Sequence, residues 1–249
     1  MKKLIVANFK MNLPPEGVKL YLTKFVAGFT GVRADVVICP SFVSLPVANF
    51  ITKDSLVKLG AQNVSEEDGG QYTGEISANM LKEAGAQYVI VGHSDRRNKF
   101  KESDKLINKK IKTVLKNGLK CILCVGENGV DKNIGKTQDI IRKQLEEGLR
   151  GLYENELESV IIAYEPNWAI GTGNSATVKE IENSAKLIRK VILENFSEKA
   201  SRDIQVLYGG SLNEKNAAAL LNSSGIDGGL FGGVSLNVNS FLNIVNSIR

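Results

Sequence analysis

The sequence predicts an α/β protein, a (β/α)8 barrel in which eight parallel strands are surrounded by helices and residues 1–249 form one domain. Three observations lead to this prediction. Short apolar runs recur eight times, a stretch with helical periodicity follows each run, and the mean repeat of about 31 residues (249 divided by eight) suits one βα unit. A doubly wound open sheet is the alternative, but the first strand is followed by Asn8-Phe9-Lys10 and not by a glycine fingerprint.

The strands are predicted where apolar residues run almost continuously, which is typical of a parallel sheet that helices cover on its outer face. These runs are residues 4–7, 36–39, 57–61, 88–91, 119–125, 160–163, 204–207 and 226–231. Helical periodicity predicts helices at residues 18–29, 105–116, 137–152, 178–196, 216–221 and 241–248, and less regular patterns suggest two more at 44–51 and 77–84. Strict alternation of strands and helices then predicts a closed barrel.

Charge and hydropathy argue against several classes of protein. The net charge of +5 arises from 32 basic and 27 acidic residues spread along the chain, so we expect no nucleic-acid partner. The densest basic patch, residues 96–101, is interpreted as a solvated helix start. The apolar run after Lys3 is too short for a signal peptide, and no 18-residue apolar span exists. We therefore expect a cytoplasmic protein without a membrane partner.

The cysteine pattern does not indicate a disulfide framework. The chain has only 3 cysteines, Cys39, Cys121 and Cys124, and an odd number leaves one without a partner. Cys121 and Cys124 form a CxxC within a predicted strand, where three steps separate their Cα atoms by about 10 Å and point their side chains to opposite faces. Neither a disulfide bond nor a shared metal ion is expected from this pair.

Polar residues follow the predicted strands at the points where each strand ends. Because the carboxyl ends of barrel strands gather at one mouth, we expect these side chains to lie close together. They are Asn8 and Lys10 after strand one, His93, Ser94 and Asp95 after strand four, Glu127 after strand five and Glu165 after strand six. A base, a proton donor and a fixed cation would then share one pocket. No metal is expected, because one histidine with scattered carboxylates lacks a recognisable ligand spacing.

His93 is the only histidine of the chain, and a single histidine is more often a structural hydrogen-bonding group than a catalyst. Its place at the predicted mouth, with Glu165 and Lys10, favours the catalytic interpretation. Lys10 could otherwise be a solvated surface lysine.

The stretch of residues 164–173 has the composition of a stiff flap with flexible ends. Pro166 keeps Glu165 extended and ends the strand, and Trp168, an Ala169-Ile170 tip and a Gly171-Thr172-Gly173 segment follow. An ordinary βα loop with a solvated glutamate is the alternative, and this stretch alone does not decide between them.

Glycine pairs follow strands seven and eight, at Gly209-Gly210 and Gly232-Gly233. Glycine lets backbone N–H groups approach an anion without obstruction by a Cβ atom, and a helix start just beyond would add the positive end of its dipole. Two such pairs on adjacent barrel strands predict a phosphate site. Ser211 with Glu214 also has the spacing of a capping box, so Ser211 is both a candidate phosphate contact and a candidate helix cap.

These motifs together resemble the triosephosphate isomerase family, over the chain from Asn8 to Ser235. The matching segments are NFKMN at 8–12, QYTGEIS at 71–77, VGHSDRR at 91–97, CVGE at 124–127, YEPNWAIGTG at 164–173, YGGS at 208–211 and FGGVSL at 231–236. The resemblance implies an isomerase that interconverts dihydroxyacetone phosphate and D-glyceraldehyde 3-phosphate through an enediol(ate) in glycolysis and gluconeogenesis, without a cofactor.

The resemblance also assigns roles to residues. It makes Glu165 the base, His93 the electrophile, and Lys10 and Asn8 polar groups on the substrate. Phosphate would be held by Gly171, Ser211, Gly232 and Gly233, and Ser94, Asp95, Cys124 and Glu127 would surround the catalytic groups. The lid would comprise Pro166, Asn167, Trp168, Ala169, Ile170, Thr172 and Gly173. Thr73, Gly74 and Glu75 would form the loop that inserts into the second subunit of a homodimer, although the sequence alone also allows a surface turn there.

Several positions depart from the usual family pattern. They are Asp95 for a glutamate, Phe9 for a tryptophan, Lys101 for a glycine, Asn174 for a lysine and Val234 for an alanine. The shorter side chain of Asp95 is expected to lengthen its contacts to Ser94 or Lys10, or to bridge them through water.

Two other functions remain open at this point. In a barrel aldolase, Lys10 would form a Schiff base with a ketose phosphate. A non-catalytic barrel that binds sugar phosphates is the other alternative, which the combination of Glu165, His93 and Lys10 disfavours.

Overall fold

The computed structural model describes residues 2–31, 34–170, 175–223 and 225–248. Eight parallel strands close into a barrel in chain order, and β1 pairs with β8 to complete the ring. The strands are β1 (Lys3–Asn8), β2 (Ala34–Cys39), β3 (Val57–Ala61), β4 (Tyr88–Val91), β5 (Lys120–Val125), β6 (Val160–Tyr164), β7 (Gln205–Tyr208) and β8 (Gly228–Phe231). The predicted fold class is thus confirmed, with strand ends within two residues of those expected.

Helices follow the strands and cover the outside of the barrel. They are α1 (Pro15–Gly28), α2 (Leu45–Thr52), α3 (Ala78–Glu83), α4 (Ser94–Lys99), α5 (Asp104–Lys116), α6 (Gly129–Asn133), α7 (Thr137–Gly148), α8 (Val178–Asn195), α9 (Glu198–Asp203), α10 (Ala217–Leu221) and α11 (Val238–Ser247). Within the described residues, no helix combines the length and the apolar composition that crossing a membrane requires.

Alternation along each strand divides the buried apolar side chains into two layers. One small cluster fills the barrel interior and includes Val6, Ile90, Ile122 and Cys124. A much larger cluster lies between the strands and the helices and includes Cys121. The two cysteines of the CxxC therefore face opposite sides of the sheet, as predicted, and each is a buried free thiol.

Candidate active site

One cavity of about 320 Å³ lies at the carboxyl ends of the strands. The residues singled out from the sequence that line it are Asn8, Lys10, His93, Glu165, Ile170, Ser211 and both glycine pairs, Gly209-Gly210 and Gly232-Gly233. Ser94, Asp95 and Glu127, which were also predicted at the mouth, lie outside its lining. β1 ends at Asn8, β4 ends two residues before His93, and β6 ends immediately before Glu165. Strand ends that meet at one mouth of the closed ring thus bring together residues that are far apart in the chain.

Glu165 is held inside the mouth by contacts from β5 and from the residues that follow β4. Its backbone N–H donates to the carbonyl of Val125 at 2.7 Å, so it continues the ladder by one residue beyond β6. Its Oε1 lies 3.2 Å from His93 Nε2, and its Oε2 accepts a hydrogen bond from the Ser94 N–H at 3.1 Å. The residue is only 2% exposed, so both oxygens depend on these protein donors.

His93 occupies the N-cap position of α4, and this position decides which ring nitrogen carries a proton. The backbone N–H of Asp95 donates to His93 Nδ1 at 3.0 Å. A nitrogen that accepts a hydrogen bond cannot also carry a proton, so the single proton of a neutral ring lies on Nε2. That proton faces Glu165 Oε1. His93 is therefore placed as a neutral donor toward the cavity, a point on which the sequence had no information.

Lys10 reaches the site from an uncommon backbone conformation. Its φ is +52°, in the left-handed region, where a side chain costs about 1–2 kcal/mol. Two hydrogen bonds hold this conformation: Asn8 Oδ1 accepts from the Lys10 N–H at 3.0 Å, and Gln62 Nε2 donates to the Lys10 carbonyl at 2.9 Å. Asn8 therefore shapes the turn that presents Lys10 to the cavity.

Asp95 joins Lys10 directly, at 3.0 Å between Oδ2 and Nζ. The expectation that the shorter aspartate would lengthen this contact is wrong, because the flexible lysine side chain extends to meet it. The second oxygen of Asp95 lies 3.0 Å from Lys99 Nζ. Partial burial opposes ionisation of Asp95, but hydrogen bonds from Lys99 and Lys10 outweigh it and lower its pKa to about 2.

The remaining residues expected around the catalytic groups divide into two sets. Ser94 and Cys124 contact Glu165: Ser94 through its backbone N–H, and Cys124 through its thiol. Burial, and then the charge of Glu165, raise the pKa of the Cys124 thiol well above its usual value. Glu127 instead holds the segment after Glu165. Its Oε1 accepts from Trp168 Nε1 at 2.8 Å, and its carbonyl accepts from the Asn167 N–H at 2.9 Å.

The expected lid is described only in part. Pro166 and Ala169 are buried, and Asn167–Ala169 form one turn of 3-10 helix that places Ile170 on the cavity. Gly171, Thr172, Gly173 and Asn174 lie outside the described residues. Beyond them, the Ala176 N–H donates to the Tyr208 hydroxyl at 3.1 Å, which fixes the connection before α8 begins.

The two glycine pairs differ in their surroundings. A Cβ on Gly209 would lie 2.9 Å from Glu165 Cγ, and one on Gly210 would lie 2.1 Å from the Tyr208 hydroxyl. The first pair thus makes room for two protein side chains. Among the described residues, a Cβ on Gly233 would have no atom within 4 Å, and one on Gly232 would meet only Lys10 Cε, at 3.8 Å. The open backbone suitable for an anion is therefore at Gly232 and Gly233.

Ser211 lines the cavity but does not cap a helix. α10 begins only at Ala217, because Asn213 Oδ1 accepts from the N–H groups of Lys215 and Asn216 and closes a separate turn first. The capping interpretation of Ser211 is therefore wrong. The Glu214 carboxylate accepts from Asn243 Nδ2 at 3.3 Å instead.

Thr73, Gly74 and Glu75 form the exposed tip of the loop between β3 and α3. The loop is closed at its base by a hydrogen bond from the Ser65 N–H to the Ile76 carbonyl at 2.9 Å. α5 supports its first half: Lys110 Nζ donates to Asn63 Oδ1 at 2.9 Å, and the Thr113 hydroxyl donates to the Glu66 carbonyl at 2.9 Å.

Three residues that shape the site were not singled out from the sequence, namely Arg97, Tyr208 and Gln62. Arg97 donates from Nε to the Gly92 carbonyl at 2.7 Å and from Nη2 to the Cys124 carbonyl at 3.1 Å. The available signal for Arg97 was its position four residues after His93, one helical turn on, which the interpretation as a solvated basic patch obscured. Tyr208 and Gln62 act through backbone groups distant in sequence, which no local pattern indicates.

The chain is similar to known proteins over nearly its whole length. A family model described as triosephosphate isomerase matches residues 3–248. The triosephosphate isomerase of Dictyoglomus thermophilum is 47% identical over 247 residues, 99% of both chains, and that of Thermoanaerobacter sp. is 41% identical over 246 residues, 98% of this chain and 99% of the relative. The crystal structure of triosephosphate isomerase from Bartonella henselae has a TM-score of 0.89 at 35% identity, covering 99% of this chain and 98% of that chain. The chain therefore belongs to the triosephosphate isomerase family.

Proposed function

We propose that Glu165, His93, Lys10 and Asn8 carry out the isomerisation of dihydroxyacetone phosphate and D-glyceraldehyde 3-phosphate that the family performs in glycolysis and gluconeogenesis. The observation that carries the assignment of roles is the 3.2 Å contact between Glu165 Oε1 and His93 Nε2, with both side chains buried at the mouth. A carboxylate and a neutral imidazole in contact are a base and a proton donor that one small substrate can reach together.

In this mechanism, Glu165 removes a proton from the carbon next to the carbonyl, and the electron pair of that C–H bond forms the enediolate. The negative charge that develops on the carbonyl oxygen is stabilised by the Nε2–H of His93 and by the Lys10 ammonium. A proton also has to pass from the substrate hydroxyl oxygen to the former carbonyl oxygen, and His93 Nε2, which lies on the cavity, can donate a proton to one oxygen and recover one from the other. The Glu165 carboxyl group then returns its proton to the neighbouring carbon, so both residues are regenerated and nothing else is consumed. No cofactor takes part.

The contact between Glu165 and His93 must open during this sequence. The single Nε2–H cannot donate fully to Glu165 and to a substrate oxygen at once, so substrate binding would displace the carboxylate. The Ser94 N–H, 3.1 Å from Oε2, is a second donor that Glu165 would leave. We propose that the structure corresponds to a withdrawn position of the base.

Backbone groups would bind the substrate phosphate. Gly232 and Gly233 leave their surroundings open toward the cavity, and Ser211 lies beside them on its wall. The Gly171 N–H would join them, with residues 166–173 acting as a lid that excludes water from the enediolate and so prevents loss of phosphate. Ile170 is the member of this lid that already lies on the cavity.

The direct test is transfer of solvent deuterium into the product. In D2O, the parent protein should place deuterium on the carbon next to the carbonyl of the product. Glu165→Gln should remove activity and labelling together, and Glu165→Asp should reduce kcat by about 100-fold or more, because the carboxylate would sit about 1 Å too far away. Glu83→Gln, at an exposed residue of α3, is the matched control and should behave as the parent.

Absence of label in an active parent would contradict proton abstraction. The aldolase alternative requires a free Lys10 amine, whereas Lys10 Nζ is engaged by Asp95 at 3.0 Å. Covalent trapping of Lys10 by borohydride in the presence of substrate would favour that alternative over isomerisation.

We also propose that the protein is a homodimer, in which the loop tip at Thr73, Gly74 and Glu75 inserts into the second subunit. Exposed apolar side chains support this proposal, because they follow the carboxyl ends of four strands that are neighbours in the ring. They are Met11 after β1, Val43 after β2, Tyr72 after β3 and Phe100 after β4. Large apolar side chains exposed on one side of the molecule are typical of an interface.

Sedimentation should give twice the chain mass, and Tyr72→Glu should shift the protein toward monomer. An active monomeric parent would contradict the proposal. A cytoplasmic location is proposed on the same basis as the glycolytic role, and fractionation of cells would test it.

A further inference from the structure

Lys132, in the short helix α6, contacts both ends of the connection between β6 and α8. Its Nζ lies 3.2 Å from the centroid of the Trp168 ring and 2.7 Å from Glu180 Oε1. Trp168 comes shortly after Glu165, and Glu180 lies in the first turn of α8. One ammonium group therefore spans the start and the end of the connection that carries the proposed base. Lys132 is not among the residues that line the cavity.

Each of the two contacted residues is itself fixed. Trp168 Nε1 donates to the buried Glu127 carboxylate at 2.8 Å, and α6 begins at Gly129, where a Cβ would lie 3.6 Å from Trp168 Cβ. Glu180 forms a capping box with Thr177: its Oε2 accepts from the Thr177 N–H at 2.8 Å, and Thr177 Oγ1 accepts from the Glu180 N–H at 3.3 Å. Lys132 thus links two anchored points, and not two free side chains.

The ion pair by itself contributes little to stability. Lys132 and Glu180 expose 33% and 39% of their side chains, and solvent screens ion pairs at such sites. A cation above an indole adds a second modest attraction. These energies are too small to decide folding, but the geometry restricts the distance between Trp168 and Glu180. A displacement of about 1 Å at reacting groups can cost about 100-fold in rate.

We propose that Lys132 is a positioning residue for the reaction, whose ammonium group ties Trp168 to Glu180 and so fixes the placement of Glu165 and of the Pro166–Ile170 segment. The inference rests on the proposed function of the site. It differs from a general stabilising role, because it concerns the rate of proton transfer. Substrate affinity would depend largely on the backbone of Gly232 and Gly233, which follow β8.

The chain offers a direct optical readout, because Trp168 is its only tryptophan. Lys132→Met keeps most of the length of the side chain but removes the cation. Lys132→Arg retains a cation that can both stack on indole and pair with a carboxylate. Lys136→Met removes an exposed lysine nearby and is the control. Glu180→Gln keeps an acceptor for Thr177 and loses only the ion pair. All variants should be compared by tryptophan emission, by kcat and KM in a coupled assay, and by thermal unfolding.

We expect Lys132→Met to shift the Trp168 emission and to lower kcat about tenfold, with KM changed less than about twofold and the unfolding temperature nearly unchanged. Lys132→Arg should restore both emission and kcat, and Lys136→Met should match the parent. Glu180→Gln should lower kcat in the parent but add little in the Lys132→Met background, because the two changes break one link.

If the parent is active and Lys132→Met is equally active, the inference about Lys132 is wrong while the proposed function stands. A loss of kcat that Lys132→Arg fails to restore, or that appears without a change in emission, would also overturn it. A parent without isomerase activity would overturn the proposed function and this inference together.

Discussion

Replacing Gly210 with alanine should destabilise the protein through Tyr208, and not through phosphate binding. The new Cβ would lie 2.1 Å from the Tyr208 hydroxyl and 2.4 Å from its Cζ, so the fully buried ring has to move. Movement breaks the 3.1 Å hydrogen bond from the Ala176 N–H, and Ala176 is 1% exposed. An unpaired buried N–H costs about 1–3 kcal/mol, so we expect the free energy of unfolding to fall by about 2 kcal/mol or more.

Gly233→Ala is the matched comparison, because a Cβ there would meet no atom of the described residues within 4 Å. Denaturant unfolding and inhibition by inorganic phosphate should separate the two glycines. Gly210→Ala should lose stability and keep the parent's affinity for phosphate, whereas Gly233→Ala should keep stability and bind phosphate more weakly. Tyr208→Phe removes the same hydroxyl, so combined with Gly210→Ala it should cost less than the sum of the single changes. Parent-like stability of Gly210→Ala, together with weaker phosphate binding, would refute the argument.

Asp95→Asn should lower kcat/KM about tenfold by releasing Lys10, while Asp95→Glu should stay within about threefold in the coupled assay, since it keeps the charge. The pKa of Asp95 is about 2 in the folded protein and about 3.9 in the unfolded chain, so its ionised carboxylate stabilises the fold above about pH 4. This contribution, about 1 kcal/mol after solvent screening, is lost as the pH falls toward 2. The difference in unfolding free energy between the parent and Asp95→Asn should therefore vanish between pH 4 and pH 2. Lys101 has a φ of +59°, where a side chain strains the backbone, so Lys101→Gly should raise the unfolding temperature by about 2 °C. Lys136 has an ordinary φ of −90°, so Lys136→Gly should lower the unfolding temperature. Equal effects of the two changes would contradict the idea that Lys101 is strained. Burial raises the pKa of the Cys121 thiol, as it does those of Cys39 and Cys124, so mass spectrometry should find no alkylation by iodoacetamide at pH 8 in the native protein and complete alkylation after unfolding.

The barrel and the outline of its mouth could be predicted because they depend on local patterns. Apolar runs determine the strands, and the closed ring then places the residue after each run at one end. Glu165 and His93 could therefore be brought together from positions 72 residues apart without any knowledge of their side-chain contacts. The short helices α4, α6 and α9 were not predicted as separate elements, since their 5 or 6 residues are mostly polar and show no apolar periodicity. The equally short α3 and α10 contain more apolar residues and were predicted.

Other features of the site depend on contacts between segments that share no local pattern. The neutral form of His93 follows from the direction of one backbone N–H, that of Asp95, and the conformation of Lys10 follows from Asn8 and Gln62. The glycines of strand seven were correctly placed at the mouth, but the physical reason for them is the packing of Glu165 and Tyr208. The sequence shows where the backbone carries no side chain. Only the neighbouring atoms in the structure show which group occupies the space that a Cβ atom would take.

Arg97 joins two strands of the barrel at the level of the site. Its guanidinium donates to the carbonyls of Gly92 and Cys124 and is held from the other side by Asp104. Because the group is rigid and planar, the residue before His93 and the residue beside Glu165 share one reference point. We therefore expect fluctuations of the proposed proton donor and of the wall behind the base to be correlated. A disturbance on either strand would move both sides of the cavity in concert and would preserve their mutual alignment.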